Sequence, residues 1–372
     1  MILRTSLFEY HQKLNAKMID FAGYKMPVFY KSIKDEYFAV RNKCGIFDIS
    51  HMAPFFIESD KSHEEVLSFL EMVTCRKVAA LKKNQVQYNA FINEDGGIVD
   101  DITIFYLEEK KYLVIVNASN KEKAFNFLNS VKNKNNLDIN IYLPENFVLL
   151  ALQGPESHKA LKNALKKENI NLPEIFYYEC DFLQIDEKNF DAIISRTGYT
   201  GEDGYEILLP VGLGQKIWEY LINEEVTPSG LGARDLLRLE MYYPLYGNDL
   251  KEEWTPFEGG IGWIVDKEKD FLGRQSLEKR KISAKNTVKG FIMKNDGIPR
   301  AGYEVYDKNK NLIGKVTSGA FSFLLNKGIG MASIEKLFAK DKTEIFIKIR
   351  DEFKPAEVYV KSTHKGSICR RE

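Results

Sequence analysis

The chain has 372 residues, of which 53 are Lys or Arg and 53 are Asp or Glu, so the formal net charge is zero. At about 100 to 200 residues per domain, this length predicts two or three domains. A chain without excess positive charge is not expected to bind nucleic acid or an anionic membrane. Hydrophobic residues make up 44%, which predicts a globular protein, and no apolar run approaches the roughly 18 residues of a membrane span.

The amino terminus and the cysteines predict a cytoplasmic protein. Acidic residues occur early, at Glu9 and Asp20, unlike in a secretory or organellar targeting segment. The four cysteines form no CxxC pair, which indicates reduced thiols. The five histidines show no HxxxH or HxH spacing, so no metal site is predicted.

The segment 88–107 predicts a β-hairpin, because two apolar-rich runs flank the turn sequence Glu94-Asp95-Gly96-Gly97. Asp100 and Asp101 then lie in the second strand on opposite faces, one toward water and the other at least half buried. Burying a carboxylate is costly. The inner aspartate therefore either has a functional use or accepts hydrogen bonds from nearby backbone amides, and the pattern leaves both open.

Two strand–helix pairs follow. A buried strand is predicted over 112–117, followed by a helix that the side chain of Ser119 or Asn120 caps, and another strand over 147–152, with a helix after Gly154-Pro155. No phosphate-binding loop follows either strand, which argues against a nucleotide-type parallel sheet. The predicted fold class is α+β with mixed or antiparallel sheets.

The segment 196–209 contains Gly198, Gly201 and Gly204 beside two tyrosines. This pattern predicts a tight turn, either as an ordinary hairpin loop or to let a flat ligand or another backbone approach closely. Glu206 is hard to explain structurally, because it enters an otherwise apolar strand.

The segment 230–240 begins with Gly-x-Gly, but Arg234 stands near the position of a third glycine and no strand is predicted before it, so a dinucleotide fold is rejected. Arg234 is expected in the first turn of a helix, where the dipole disfavours a cation by roughly 0.3–1 kcal/mol. An acidic partner, Glu206 or Asp235, or a ligand is expected to offset this. Ser50-His51 has no evident third member for a hydrolase triad.

A polar, basic segment at 278–286 marks the clearest boundary of the chain. Beyond it, Ile345, Ile347 and Ile349 recur at period two, which is typical of a β-strand. A C-terminal all-β domain is therefore predicted from about residue 285.

Together these segments resemble, in order along the chain, the aminomethyltransferase or T-protein family of the glycine cleavage system. The segments that carry the resemblance are 20–27, 39–41, 45–52, 93–101, 116–118, 152–155, 195–204, 230–235, 244–247 and 316–319. The resemblance implies a three-domain cloverleaf of mixed or antiparallel sheets, with helices and a C-terminal β-barrel-like domain, around a central folate pocket. The implied domains are 1–50 plus about 140–280, about 51–139, and 285–372, with parts of 150–230 open to assignment to the second.

The implied reaction passes the one-carbon unit of the aminomethyl group on the lipoyl arm of H-protein to tetrahydrofolate, with release of ammonia and dihydrolipoyl protein. It needs no metal or nucleotide, and a monomer is the family expectation. By the resemblance, Asp101 is the essential carboxylate, and Glu206 and Arg234 match the pteridine edge. The other positions implied to line the folate pocket are Met52, Tyr88, Asn117, Tyr199 and Tyr243, with Trp263 as a further wall. Arg370 or Arg371 is implied to reach the glutamyl tail of folate or the lipoyl arm.

Two rivals share this scaffold. A stand-alone folate-dependent demethylase of a small amine or sulfonium compound is the alternative enzyme. A folate-binding protein for iron–sulfur maintenance is the other, but its Lys-Gly-Cys-Tyr-x-Gly-Gln-Glu signature is absent from the sequence. The presence of Asp101, Glu206 and Arg234 favours aminomethyl transfer.

Overall fold

The structure is a computed structural model, which describes residues 2–185 and 190–368. Over these residues the chain forms eight α-helices and nineteen β-strands. The helices are α1 (Phe8–Lys13), α2 (Ile33–Asn42), α3 (His63–Val73), α4 (Lys121–Lys134), α5 (Ser157–Lys166), α6 (Val211–Asn223), α7 (Leu231–Glu240) and α8 (Arg274–Ser283). The strands are β1 (Lys17–Phe21), β2 (Tyr24–Phe29), β3 (Gly45–Asp48), β4 (Ala53–Glu58), β5 (Val86–Ile92), β6 (Ile98–Glu108), β7 (Lys111–Val116), β8 (Asn140–Tyr142), β9 (Phe147–Gln153), β10 (Cys180–Phe182), β11 (Ile193–Ser195), β12 (Gly204–Pro210), β13 (Thr227–Pro228), β14 (Asn286–Met293), β15 (Glu304–Tyr306), β16 (Leu312–Ser322), β17 (Lys327–Glu335), β18 (Glu344–Ile349) and β19 (Glu352–Tyr359).

A six-stranded mixed sheet has the order β10-β11-β12-β9-β3-β13, in which only the β13–β3 pair is parallel. Its central strand β9 sends alternate side chains to opposite faces. Leu150 and Leu152 pack with α5 and α6, whereas Leu149 and Ala151 pack with α7. This sheet is therefore covered on both faces, which explains why the sequence of β9 is a continuous apolar run.

A five-stranded antiparallel sheet has the order β5-β6-β7-β4-β8. Ile102 and Ile104 of β6 join the core that includes residues of α3 and α4, and Phe105 packs on the opposite side of the sheet in a different cluster. The predicted hairpin is confirmed, because β5 and β6 pair across a turn in which Asn93 Oδ1 accepts hydrogen bonds from the backbone of Asp95 and Gly97.

The C-terminal strands β14 to β19 form a closed barrel in the order β14-β17-β16-β15-β18-β19. Its core includes Phe291, Val305, Ile345 and Ile347. The predicted C-terminal β domain is confirmed, since its first strand begins at Asn286 and the period-two run coincides with β18.

One buried cluster joins the three sheets. It contains Leu149 from the six-stranded sheet, Phe105 from the five-stranded sheet, Leu237 from α7 and Met331 from the barrel. The confirmed α+β fold thus places three units around a shared centre, and the functional residues lie on the elements that face it.

Two local predictions are wrong. A short strand, β13, precedes α7 although none was predicted. It forms because Thr227 and Pro228 pair in parallel with β3, and two residues are too few to carry a periodic signal. Asn120 precedes α4, but its side chain does not cap the helix. Its Nδ2 group instead donates to Asp100 Oδ1 at 2.6 Å, because a buried carboxyl group is costly without hydrogen-bond donors.

Candidate active site

A cavity of about 1450 Å³ lies where the three sheets meet. Asp101 of β6, Glu206 of β12 and Ser318 of β16 all line it, so each sheet contributes. The structure brings together nine of the residues that the sequence singled out, which all line this cavity: Met52, Tyr88, Asp101, Asn117, Tyr199, Glu206, Arg234, Tyr243 and Trp263. Arg370 and Arg371 lie outside the described residues.

Asp101 is held in the cavity wall by two donors. Its Oδ2 accepts a hydrogen bond from the Tyr88 hydroxyl at 3.0 Å, and its Oδ1 accepts one from Asn117 Nδ2 at 2.9 Å. Burial raises the pKa of Asp101 to about 6, although these two hydrogen bonds oppose the rise. Burial also raises the pKa of Tyr88 well above its usual value, so its hydroxyl stays protonated and donates to the carboxylate.

Asp100 points to the other face of β6 and is fully buried. It accepts hydrogen bonds from the Asn117 backbone N–H (2.8 Å), from Asn117 Nδ2 (2.8 Å) and from Asn120 Nδ2. Burial and the neighbouring Asp101 charge raise the pKa of Asp100. The inner aspartate thus accepts from a backbone amide, as one interpretation of the sequence expected, and the Asn117 side chain links it to Asp101.

Glu206 and Arg234 face the cavity without forming an ion pair, which was one of the alternatives that the sequence left open for Arg234. Within the described residues, no carboxylate lies within 4 Å of the Arg234 guanidinium, and its buried Nη1 has no hydrogen-bond partner. Burial lowers the pKa of Arg234, while the charge of Glu206 acts in the opposite direction. Glu206 Oε2 accepts one hydrogen bond, from Thr197 Oγ1 at 2.6 Å. A buried donor without a partner is costly, and a ligand between these two groups would satisfy it.

Two stacked aromatic pairs form flat walls. The rings of Tyr199 and Tyr243 lie 5.8 Å apart, and the Arg234 guanidinium is 4.9 Å from the Tyr199 ring. Tyr88 stacks on Trp263 at 6.0 Å. Trp263 is 66% exposed, so this second pair marks the mouth of the cavity. Offset aromatic faces at such distances suit a planar ring system.

The glycines of the loop between β11 and β12 are explained by packing within the protein. A Cβ on Gly198 would lie 1.9 Å from Gln153 Oε1, and one on Gly201, where φ is +81°, would lie 2.3 Å from the Met241 sulfur. The predicted hairpin is confirmed by the β11–β12 pairing. The side chains of Gln153 and Met241 are thus the groups that approach these glycines closely.

Sequence reasoning gave no role to His51 or Arg76. Burial and the charge of Arg234 lower the pKa of His51 to about 4, so this cavity-lining ring is neutral at physiological pH. Arg76 lies 5.5 Å from the Trp263 ring at the cavity mouth. Neither residue belongs to a spacing pattern that would have identified it. The Ser50 hydroxyl exchanges hydrogen bonds with the Leu149 backbone, so it is held by β9 rather than by His51.

Neither a metal-binding cluster nor a membrane-spanning helix occurs among the described residues. Within them, no group of three or more His, Cys, Asp or Glu side chains is placed to hold a metal ion. In the same part of the chain, no helix has the length and apolar character required to cross a membrane.

Comparison with known proteins assigns this chain to a family. A family model described as "GCVT N-terminal domain" matches residues 7–269, and one described as "Glycine cleavage T-protein C-terminal barrel domain" matches residues 287–364. The chain belongs to the glycine cleavage T-protein family. It is 42% identical to an aminomethyltransferase of Leptospira interrogans, with 98% of each chain covered. It is also 43% identical to an aminomethyltransferase of Thermosipho melanesiensis, again with 98% of each covered.

A solved structure supports the same assignment. The glycine cleavage system aminomethyltransferase T of Bartonella henselae is 30% identical, with a TM-score of 0.90 and complete coverage of both chains. The T-protein chain described here is therefore an aminomethyltransferase of the glycine cleavage system, as the resemblance implied. Nothing in these comparisons favours the demethylase alternative.

Proposed function

We propose that the central cavity is the tetrahydrofolate site of this aminomethyltransferase, and that the aminomethyl-lipoyl arm of H-protein reaches the same cavity. The observation that carries this proposal is the buried Arg234 Nη1, which faces the cavity region near Glu206 without a hydrogen-bond partner. Location in the cytoplasm and a monomeric state stay predictions from the sequence and the resemblance.

The pteridine ring of folate fits these two residues chemically. Its aminopyrimidinone edge has adjacent N–H donors and a carbonyl acceptor in one plane. The Glu206 carboxylate has only acceptor atoms, and the Arg234 guanidinium has only donors in a rigid fork. In this arrangement the ring N–H and the exocyclic amino group of the edge donate to Glu206, and Arg234 donates to the carbonyl oxygen. The faces of the ring contact the Tyr199 and Tyr243 walls.

Asp101 is then the carboxylate beside the reacting nitrogens N5 and N10. The transfer breaks the carbon–sulfur and carbon–nitrogen bonds of the aminomethyl group and forms two bonds from its carbon to N5 and N10. The two protons that leave these nitrogens go to ammonia and to the lipoyl sulfur. A cationic iminium-like carbon develops as sulfur leaves, and the fixed negative charge of Asp101 stabilises it. Tyr88 and Asn117 hold the carboxylate in place.

Substitution of the pteridine-contacting residues tests the proposal. Arg234→Lys keeps the charge and loses the fork, whereas Glu206→Gln replaces one acceptor by a donor. Each should weaken tetrahydrofolate binding about 10- to 100-fold, since each leaves a buried polar group mispaired. Asp181→Asn, on the sheet edge strand β10, is the matched control. Isothermal titration with tetrahydrofolate measures the affinities, and unchanged affinity in both variants would remove these residues from the folate site.

A further inference from the structure

Glu202 has no role in the folate site, although it lies in the same glycine-rich loop. Its side chain is only 2% exposed. Oε1 accepts hydrogen bonds from Arg41 Nη1 at 2.8 Å and from His364 Nε2 at 2.5 Å, and Oε2 accepts one from Ser367 Oγ at 2.6 Å. This buried carboxylate therefore connects helix α2 with the C-terminal segment.

The C-terminal strap, which we define as residues 363–367, makes further contacts with the same region. Thr363 donates from its backbone N–H and its hydroxyl to the Glu240 carbonyl, at 2.9 and 2.8 Å. The Asp203 backbone N–H donates to Ser367 Oγ at 3.0 Å. Gly366 has φ +71°, and a Cβ there would lie 1.7 Å from the Gly201 carbonyl oxygen. The strap is thus pressed directly onto the loop between β11 and β12.

That loop presents Tyr199 to the cavity. Arg41 Nη1, the same atom that binds Glu202, also donates to the Thr200 carbonyl at 2.7 Å. The strap and the cavity are adjacent as well, because Val360 and Ser362, just before the strap, line the cavity. A displacement of the strap would therefore loosen the backbone on both sides of Gly201, two residues from Tyr199.

We propose that Glu202 is a positioning residue that clamps the C-terminal strap onto the loop between β11 and β12, and that the clamped strap holds Tyr199 in the conformation that binds folate. The inference rests on the proposed folate site. A buried carboxylate is kept only where its partners compensate for lost hydration, and two of its three partners are strap side chains. Glu202 acts through the loop and contacts neither folate nor the reacting atoms.

The test uses the full chain with the double substitution His364→Ala and Ser367→Ala, which leaves Glu202 paired with Arg41. If the released loop adopts the binding conformation a tenth of the time, the KM for tetrahydrofolate rises about tenfold. The kcat should stay within about twofold, because Asp101 and its neighbours are untouched. Gly366→Ala, which forces the strap off Gly201, should act in the same direction. Lys365→Ala, at an exposed strap position, is the matched control and should leave both constants unchanged.

A lower Tm with an unchanged KM in the double variant would show that the strap only stabilises the fold, and would overturn the inference. A chain that ends at Ser362 lacks the strap and everything after it. If this chain has a raised KM but the double variant does not, the effect belongs to residues beyond the strap, and the inference is overturned.

A measurement on the unmodified protein is independent of any folding defect. Tetrahydrofolate should slow tryptic cleavage after Lys365 at least severalfold, because binding and strap closure are linked, and equal cleavage rates would contradict the linkage. Wild-type protein that binds no folate would overturn the proposed function together with this inference.

Discussion

Asp101 is fixed by Tyr88 and Asn117, so its charge can be removed without removing its shape. Asp101→Asn should lower kcat by about 10²–10³-fold, the usual effect of losing one preorganised electrostatic group. Tetrahydrofolate affinity should stay within about twofold, since Glu206 and Arg234 are unchanged. Ammonia release and titration with tetrahydrofolate measure the two quantities, and equal turnover would remove Asp101 from the mechanism.

The raised pKa of Asp101 gives a second expectation. The mechanism needs the ionised carboxylate, and the pKa is about 6, compared with about 3.9 for an ordinary aspartate. The kcat/KM should therefore decline as the pH falls through about 6, and reach a plateau above about pH 7. The pH profile of kcat/KM, which reports the ionisation of the free enzyme, measures this, with Asp101→Asn as the control, whose residual rate should lack that limb. A wild-type rate that holds down to pH 4.5 would contradict the assignment.

These side chains show how far the sequence predicts a site. Period-two alternation correctly separated Asp100 from Asp101, because strand geometry alone dictates opposite faces. It did not indicate which of the two faces the cavity, since this depends on Asn120 approaching one side of β6 and on the other sheets approaching the other. No spacing pattern assigned His51 or Arg76 to the cavity, because their neighbours there are distant in sequence.

Helix α7 connects the cavity with the barrel. Arg238, 1% exposed, binds Asp249 at 2.7 Å and Ser318 Oγ of β16 at 2.8 Å. Arg238→Met should lower the free energy of unfolding by about 3–5 kcal/mol, because Asp249 is left buried without its cation. Urea denaturation measures the change. Adding Asp249→Asn should recover part of the loss, and a loss below about 1 kcal/mol in the single variant would show that the pair is not important for stability.

The strands and helices with strong local patterns were predicted, and the elements defined by distant partners were not. β9 and β18 have apolar or alternating runs that specify a strand locally. β13 has two residues and exists because the chain at Thr227 pairs with Gly45, some 180 residues earlier. No local propensity encodes such a pairing, so the sheet order is visible only in the structure.

The cavity belongs to no single sheet, since β6, β12 and β16 each contribute to its lining. Residues from the same three units also share one apolar cluster, which contains Phe105, Leu208 and Met331. Composition and periodicity predict strands and helices within each unit. They do not give the docking of the units, because the contacts between them depend on side-chain shape across the interface.

This shared cavity predicts how folate changes the stability of the protein. A ligand that binds only when all three units are docked stabilises them together, by about 2.7 kcal/mol at a free concentration of 100 times Kd. Calorimetry with tetrahydrofolate should therefore show every unfolding transition moving to higher temperature, or separate transitions merging into one. Glu206→Gln at the same folate concentration is the control and should show a smaller shift, since its affinity is lower. A shift confined to one transition, with the others unmoved, would mean that folate contacts one unit alone, and that the three sheets do not build its site together.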